Sequence, residues 1–254
     1  MKVSIITVAY NSVETIKDTI DSIRMQSHPD IEYIVIDGAS TDGTLALIQE
    51  NMDVITTYRS EADKGLYDAM NKGIALATGD VIGMLNSDDV YQDKEVIAKV
   101  AEEFSSYPVD CVYGDLVYVD AVELSKVKRY WRSGNYFRKA FLNGWMPPHP
   151  TFFTKRECYS VFGSYDVTFK TSADYELMLR FLYKNHCTAS YVPHILVRMR
   201  EGGQSNTSLE NRIIGNKEDR LAWKKNNLIP RFYTLTMKPI RKLGQFFQRP
   251  GQDG

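Results

Sequence analysis

Strand-length apolar runs alternate with segments of helical periodicity from residue 3 to residue 106, and this alternation restricts the fold more than any other feature. "VSIITVA" (3–9) is a continuous apolar run, as in a strand covered on both faces. Val13, Ile16, Ile20 and Ile23 then recur at helical spacing, with Asn11 and Glu14 placed as a capping box. "IEYIVID" (31–37) is a second strand, followed by the turn-rich "GASTDGT" and a short helix through "LALIQE". Residues 53–58 supply a third strand. Leu66, Met70, Ile74 and Ala77 share one face of a helix that stops at Gly79. "DVIGML" is a fourth strand, and Val96, Val100 and Phe104 mark the next helix.

Such a pattern predicts an α/β fold with a mainly parallel, Rossmann-like sheet, helices on both faces and right-handed crossovers. Ligands of these sheets sit beyond the carboxyl ends of the strands. That rim gathers Tyr10 and Asn11 after strand one, Asp37 at the end of strand two, and Asp88 and Asp89 after strand four.

From about residue 110 the pattern loosens. "CVYGDLVYVD" and "SKVKRYW" read as longer, more exposed strands, and 131–150 is rich in aromatics, Gly and Pro. "HPTFFT" reads as a strand, and "SADYELMLRFLYKN" as a helix with Tyr175, Leu179 and Leu182 inward. "ASYVPHILVRM" reads as a strand pair broken at Pro193, "REGGQSN" as a flexible loop, and the rest as helical and increasingly basic, interrupted at Pro239. The expected organisation is a first half over 1–115, a second half of the same domain over 116–207 and a helical tail over 208–254.

Composition narrows the function. A net charge of −1 and a pI near 6.4 argue against a protein that tracks nucleic-acid phosphates. Three cysteines, Cys111, Cys158 and Cys187, are odd in number and far apart in sequence, which suits reduced thiols in the cytoplasm better than a disulfide framework or a zinc cluster. Neither a secretory signal nor a run of about 18 apolar residues is present.

The adjacent Asp88 and Asp89 alone would read as a turn plus helix cap. At a ligand-binding rim, however, neighbouring carboxylates raise each other's pKa unless a cation compensates. Hard oxygen ligands suit Mg²⁺ or Mn²⁺, and Mg²⁺ typically takes only one or two protein carboxylates, filling its shell from water and substrate phosphates.

Five blocks in order, "VSIITVAYNS", "YIVIDGASTDGT", "DKGLYDAMNKGI", "ATGDVIGMLNSDD" and "SADYELMLR", resemble glycosyltransferase family 2, inverting enzymes of the GT-A fold that use nucleotide-sugars. The resemblance runs from Lys2 to about Ser205. It implies that Asp88 lies against the donor ribose and that Asp89 holds Mn²⁺ or Mg²⁺ against the diphosphate, with Ser87 where a literal Asp-x-Asp would begin. It implies that Asp37 accepts the base N–H, although Gly38 stands where many relatives carry a second acid. Thr7, Ala9 and Tyr10 would line the nucleoside pocket, Asp63 and Lys64 would lie beside the nucleotide or sugar, and His149 near the donor phosphates. Asp174 matches the aspartate of the family's Glu-Asp motif, with Ala173 replacing the Glu; as general base it would take the acceptor hydroxyl's proton. Glu176 is the less suitable base by register.

Each residue has a plainer reading as well: a turn or capping acid for Asp37, strand-end packing for Thr7, Ala9 and Tyr10, a solvated helix surface for Asp63 and Lys64, and a structural histidine for His149. Arg200, Gly202, Gly203 and Ser205 form an "RxGGxS" segment suited to closing over the diphosphate or to plain connection. The basic tail, with Lys238, Arg241, Lys242 and Arg249, would either lie on an anionic membrane or pack on the domain. The implied activity is transfer of a hexosyl or N-acetylhexosaminyl group from a nucleotide-sugar, UDP first, to a glycan or lipid-linked acceptor in cell-envelope polysaccharide biosynthesis. A receiver-like module would carry its acid pair after strand one. A sugar nucleotidyltransferase would carry a Gly-rich phosphate loop there, and "AYNSVET" has no glycine. A sugar-nucleotide binder without transfer is a further alternative.

Overall fold

The computed structural model describes residues 1–202 and 209–244. One sheet runs through both halves: β1 (Val3–Ala9), β2 (Ile31–Asp37), β3 (Thr57–Ser60), β4 (Val81–Met84), β5 (Val90–Tyr91), β6 (Cys111–Val119), β7 (Val127–Trp131), β8 (Phe153–Lys155) and β9 (Ala189–Arg200). Its order is β3-β2-β1-β4-β8-β6-β9-β5, with β7 paired to the outer part of β6. The first four strands in that order are mutually parallel. β8 is antiparallel to both of its neighbours, so β6 and its parallel partner β9 again run with β1. The consequence for the site is that β1, β2, β4, β6 and β9 all end on one rim.

Alternate residues of β1 feed two cores. Val3 and Ile5 join α1 (Ile16–Arg24) and α4 (Val96–Ser106) on one face, while Ile6 and Val8 join α3 (Leu66–Leu76) on the other. On α3, Gly73 lies so close to β1 that a Cβ there would come within 2.4 Å of Ile6 Cγ2. α2 (Thr44–Glu50) follows β2, and α5 (Arg156–Phe162) follows β8. α6 (Ala173–Met178) relaxes into a π-helical turn over Leu179–Lys184, and α7 (Leu209–Lys225) and α8 (Thr234–Gly244) close the described chain.

Several details depart from the sequence expectations. The capping box is absent: Asn11 has φ +47° and its Oδ1 accepts the Thr41 amide, and α1 starts only at Ile16. The third strand begins at Thr57, because 51–54 form a turn that tucks Ile55 into the core. "HPTFFT" splits into a 3₁₀ turn over His149–Thr151 and the short β8. β9 is one strand rather than a pair. Tyr113 pairs with Tyr191 and Asp115 with Ile195, so the residues around Pro193 bulge out instead of ending the strand. Pro239 lies inside α8 without interrupting it. The three cysteines are buried, and tertiary folding brings them near one another.

The end of the sheet opposite the site is held by Glu32. Its carboxylate accepts hydrogen bonds from Lys2 Nζ (2.8 Å), Ser4 Oγ (2.5 Å), and the amide (2.7 Å) and hydroxyl (2.5 Å) of Thr78. Burial would raise its pKa, but these donors outweigh it and hold the group at about 2 against an ordinary 4.5. The folded-state value is therefore the lower one. The stabilisation is present above pH 4.5 and lost as pH falls from there towards 2, with an upper size of about 3 kcal/mol. Acid unfolding of Glu32→Gln, followed by circular dichroism, is expected to show a shallower loss of stability across that window than the wild-type protein.

Candidate active site

At the rim, Asp37 is fully buried and accepts hydrogen bonds from the Ser40 amide (3.1 Å), the Ser40 hydroxyl and the Ser60 hydroxyl (2.6 Å). Its oxygens hold the 38–40 turn against β3. The carboxylate facing outward at this corner belongs to Asp63, which accepts the Gly65 amide (2.8 Å). A Cβ on Gly38 would lie 2.6 Å from Asp63 Oδ2 and 3.3 Å from the Tyr10 ring, so absence of a side chain at 38 lets both close over the turn. Tyr10 is 61% exposed and presents its ring to solvent. Thr7 is buried, its hydroxyl receiving the Tyr33 O–H (3.2 Å), and the Ala9 carbonyl accepts the Gly38 amide (2.8 Å). These two residues reach the rim only as backbone. Lys64 has an exposed side chain, and its amide donates to Asp68 (3.1 Å).

Asp88 and Asp89 close a turn after β4, with the Asp89 amide donating to the Asn86 carbonyl (3.1 Å). The neighbouring Ser87 hydroxyl meets that of Ser12 (2.8 Å), and Thr19 donates to the Asp89 carbonyl (2.8 Å). The pair caps no helix, since α4 begins well downstream behind Glu95. Asp89 is fully buried and neither carboxylate oxygen has a hydrogen-bond partner. Burial holds its pKa well above the ordinary range and the Asp88 charge adds to this, while the nearby Arg200 and the Asn86 side chain, neither of which forms a well-aligned hydrogen bond to it, offset only part. Burial also raises Asp88, while the nearby Arg200 and His149 side chains act to lower it.

An orphaned buried carboxylate is expensive, and a divalent cation is the partner that two adjacent acids with free lone pairs fit. Among the described residues no cluster of three or more acids, histidines or cysteines provides a cage. A hard dication held by one or two carboxylates fills its shell from phosphate and water.

Asp174 begins α6 and faces the same space. Its Oδ2 lies 3.3 Å from His149 Nδ1, and its Oδ1 accepts the Tyr67 hydroxyl at 3.5 Å. His149 thus contacts Asp174 and acts electrostatically on Asp88. Tyr118, near the carboxyl end of β6, feels the charges of both Asp89 and Asp174 and carries the Arg129 guanidinium over its ring at 3.6 Å. Glu176 points the other way: it is buried, paired with Arg180 (2.9 Å) and bonded by Asn226 (2.9 Å). Its carboxylate is committed to packing α6.

Sequence reading did not foresee the place of Arg200. At the end of β9 it is buried, donating Nη1 to the Asp88 carbonyl (2.7 Å) and Nε to the Ala121 carbonyl (3.2 Å), with Nη2 on Asp18. It is a fixed strut under the acid turn rather than part of a closing segment. Its position after the apolar pair Leu196 and Val197 was the available signal. Of the other residues of that segment, Gly202 follows in a turn at φ +106°, and Gly203 and Ser205 lie outside the described residues. Lysine cannot reproduce three directed bonds. Arg200→Lys is therefore expected to weaken donor binding in the presence of Mn²⁺ about tenfold, the worth of one charge-assisted hydrogen bond, measured by titration calorimetry.

A curled mixed sheet that gathers acids from strand ends of both halves is the GT-A arrangement, and solved structures share it. TarS of S. aureus, residues 1–349, in a complex with UDP-GlcNAc, matches with a TM-score of 0.70 over 100% of this chain and 75% of that one, at 16% identity. The mannosyltransferase PcManGT of Pyrobaculum calidifontis, in a complex with GDP-Man and Mn²⁺, matches with a TM-score of 0.67 over 93% and 68%, at 19% identity. These likenesses concern the fold. The family model described as Glycosyl transferase family 2 matches residues 4–161, and the chain belongs to that family. An uncharacterized glycosyltransferase of Mycobacterium tuberculosis is 34% identical over 181 residues, 70% of this chain and 68% of that protein. The match to the family model ends before Asp174, so a role for that residue rests on its geometry.

Proposed function

We propose that this glycosyltransferase moves a hexose or N-acetylhexosamine from a nucleoside diphosphate, UDP first, to a hydroxyl of a glycan or lipid-linked saccharide, with inversion. The observation that carries the metal-dependent reading is Asp89: a fully buried carboxylate without a hydrogen-bond partner, beside Asp88, at the sheet's ligand rim. Asp89, with Asp88, would hold Mn²⁺ or Mg²⁺, which when bound neutralises charge on the departing diphosphate. The complex of PcManGT with Mn²⁺ is a precedent in the same fold.

In this reading residues 1–115 bind the donor. Tyr10 offers a ring to the base, and Asp63 is the accessible carboxylate at that corner while Asp37 shapes the turn beneath it. Asp88 faces the ribose. From the second half, 116–207, Asp174 accepts the acceptor's proton as the hydroxyl attacks the anomeric carbon, oriented by His149 and Tyr67. Holding donor, hydroxyl and base in line supplies much of the acceleration. His149, in contact with Asp174 and within electrostatic reach of Asp88, would meet the donor phosphates as well.

The described part of the tail packs on the domain: Thr234 donates to the Leu142 carbonyl (2.6 Å), and Lys238 pairs with Asp219 (2.7 Å) beneath the Tyr175 ring, while Arg249 lies outside the described residues. Among the described residues no helix is long and apolar enough to cross a membrane. A lipid-linked acceptor would have the protein work at the cytoplasmic membrane surface, where the exposed Ile229, Phe232 and Arg241 are available for contact.

A thermal-shift panel of UDP-, GDP- and dTDP-sugars with Mn²⁺ tests the reading. At least one donor is expected to raise the melting temperature by several degrees with Mn²⁺ and by much less in EDTA. Stabilisation indifferent to the metal for every donor would count against it.

A further inference from the structure

We infer that Glu218, on the helix after the catalytic half, is a positioning residue for the base Asp174; this rests on the function proposed above. The Glu218 carboxylate is buried and accepts four hydrogen bonds from three consecutive residues. These come from the Lys170 amide (2.7 Å), the Thr171 amide (2.8 Å) and hydroxyl (2.9 Å), and the Ser172 amide (3.0 Å). Ser172 in turn gives its carbonyl to the Glu176 amide (3.0 Å) and its hydroxyl to the Gly215 carbonyl (3.4 Å). Asp174 stands two residues after Ser172. Among the described residues its own side chain has two long contacts, 3.3 Å to His149 and 3.5 Å to Tyr67. The backbone entering α6 therefore sets where the carboxylate lies, and His149 and Tyr67 only trim its orientation.

Other residues of α7 serve the same segment, with Trp223 in its last turn and Asn226 just beyond its end. Trp223 donates to the Tyr175 hydroxyl (2.9 Å) and Asn226 to Glu176 (2.9 Å). Contacts made successively to 170–172, 175 and 176 bracket residue 174 on both sides. A carboxylate is suited to this place because its two oxygens carry enough lone pairs for all four donors, which a single amide oxygen does not. Loss of part of that cradle lets the 170–172 turn shift, and a misplacement of about 1 Å at a base costs up to about 100-fold in rate.

The test uses the full-length protein and the donor hydrolysed fastest in a Mn²⁺-containing screen of UDP- and GDP-sugars, water serving as acceptor and nucleoside diphosphate release as readout. Glu218→Gln, Thr171→Val and Asp174→Asn are assayed in parallel with melting temperature. Glu218→Gln is expected to lower kcat at least tenfold with donor KM within twofold and the Mn²⁺-dependent donor thermal shift retained. A purely structural brace would lower the melting temperature and leave kcat of the folded protein alone, and that result overturns the inference. So does a loss of donor binding as large as the loss of turnover. If Glu218→Gln does not fold, Thr171→Val decides: a several-fold fall in kcat at constant KM supports the inference and an unchanged kcat overturns it. Full turnover in Asp174→Asn would instead remove the base itself.

Discussion

Asp89→Asn is expected to make the metal-free protein more stable while abolishing its response to Mn²⁺. In EDTA the variant should melt about 2–6 °C higher, the change that relief of about 1–2 kcal/mol produces in a domain of this size. The wild-type carboxylate is fully buried with neither oxygen hydrogen-bonded, so the folded chain carries either an unpaired charge or the cost of protonating it. An amide of nearly equal shape has no charge to desolvate. It is also a far weaker partner for a hard dication, so the donor-dependent thermal shift should vanish. A variant that is less stable without metal, yet still stabilised by Mn²⁺ and donor, would show that Asp89 is an ordinary packed acid. Stability gained at the loss of function is the signature expected of a group held in place for its ligand.

Asp174→Asn is expected to lower turnover by about 10²- to 10⁴-fold, the range that a positioned general base contributes. Donor affinity with Mn²⁺ should stay within twofold, because Asp174 is engaged with His149 and Tyr67 and not with the acid turn proposed to hold the cation. Asparagine preserves the hydrogen bond from Tyr67 but cannot take a proton. Donor binding measured by calorimetry, together with transfer followed by nucleotide release, separates the two properties. Glu176→Gln should do the reverse of what its proximity in sequence suggests, loosening α6 through lost bonds to Arg180 and Asn226.

The first half was legible because its signals are local. β1, β2 and β4 are apolar runs and α1, α3 and α4 amphipathic repeats, so the right-handed βα rule fixed which ends share a rim, whereas the polar β3 carried no such signal. The Asp88–Asp89 turn and the start of α6 followed from the same pattern and from the resemblance to family 2. What stayed hidden depends on tertiary partners. The burial of Asp37 beneath Ser40 and Ser60 cannot be told from an exposed turn acid by spacing alone. Arg200 looked like the start of a loop because its three acceptors come from Asp18, Asp88 and Ala121, remote in the chain. Pro193 reads locally as a break, yet the extra residues of β9 loop out and the strand resumes its pairing at Ile195. Asn11 and Glu14 have the spacing of a capping box, but Asn11 is drawn across to the Thr41 amide instead.

Donor and metal bind to one site in this account, so each must strengthen the other by the same factor. Titration calorimetry of UDP into the wild-type protein, once with Mn²⁺ and once in EDTA, measures that coupling directly. Binding at least tenfold tighter with Mn²⁺ is the expected result; equal affinity under the two conditions would contradict a cation shared by Asp89 and the diphosphate.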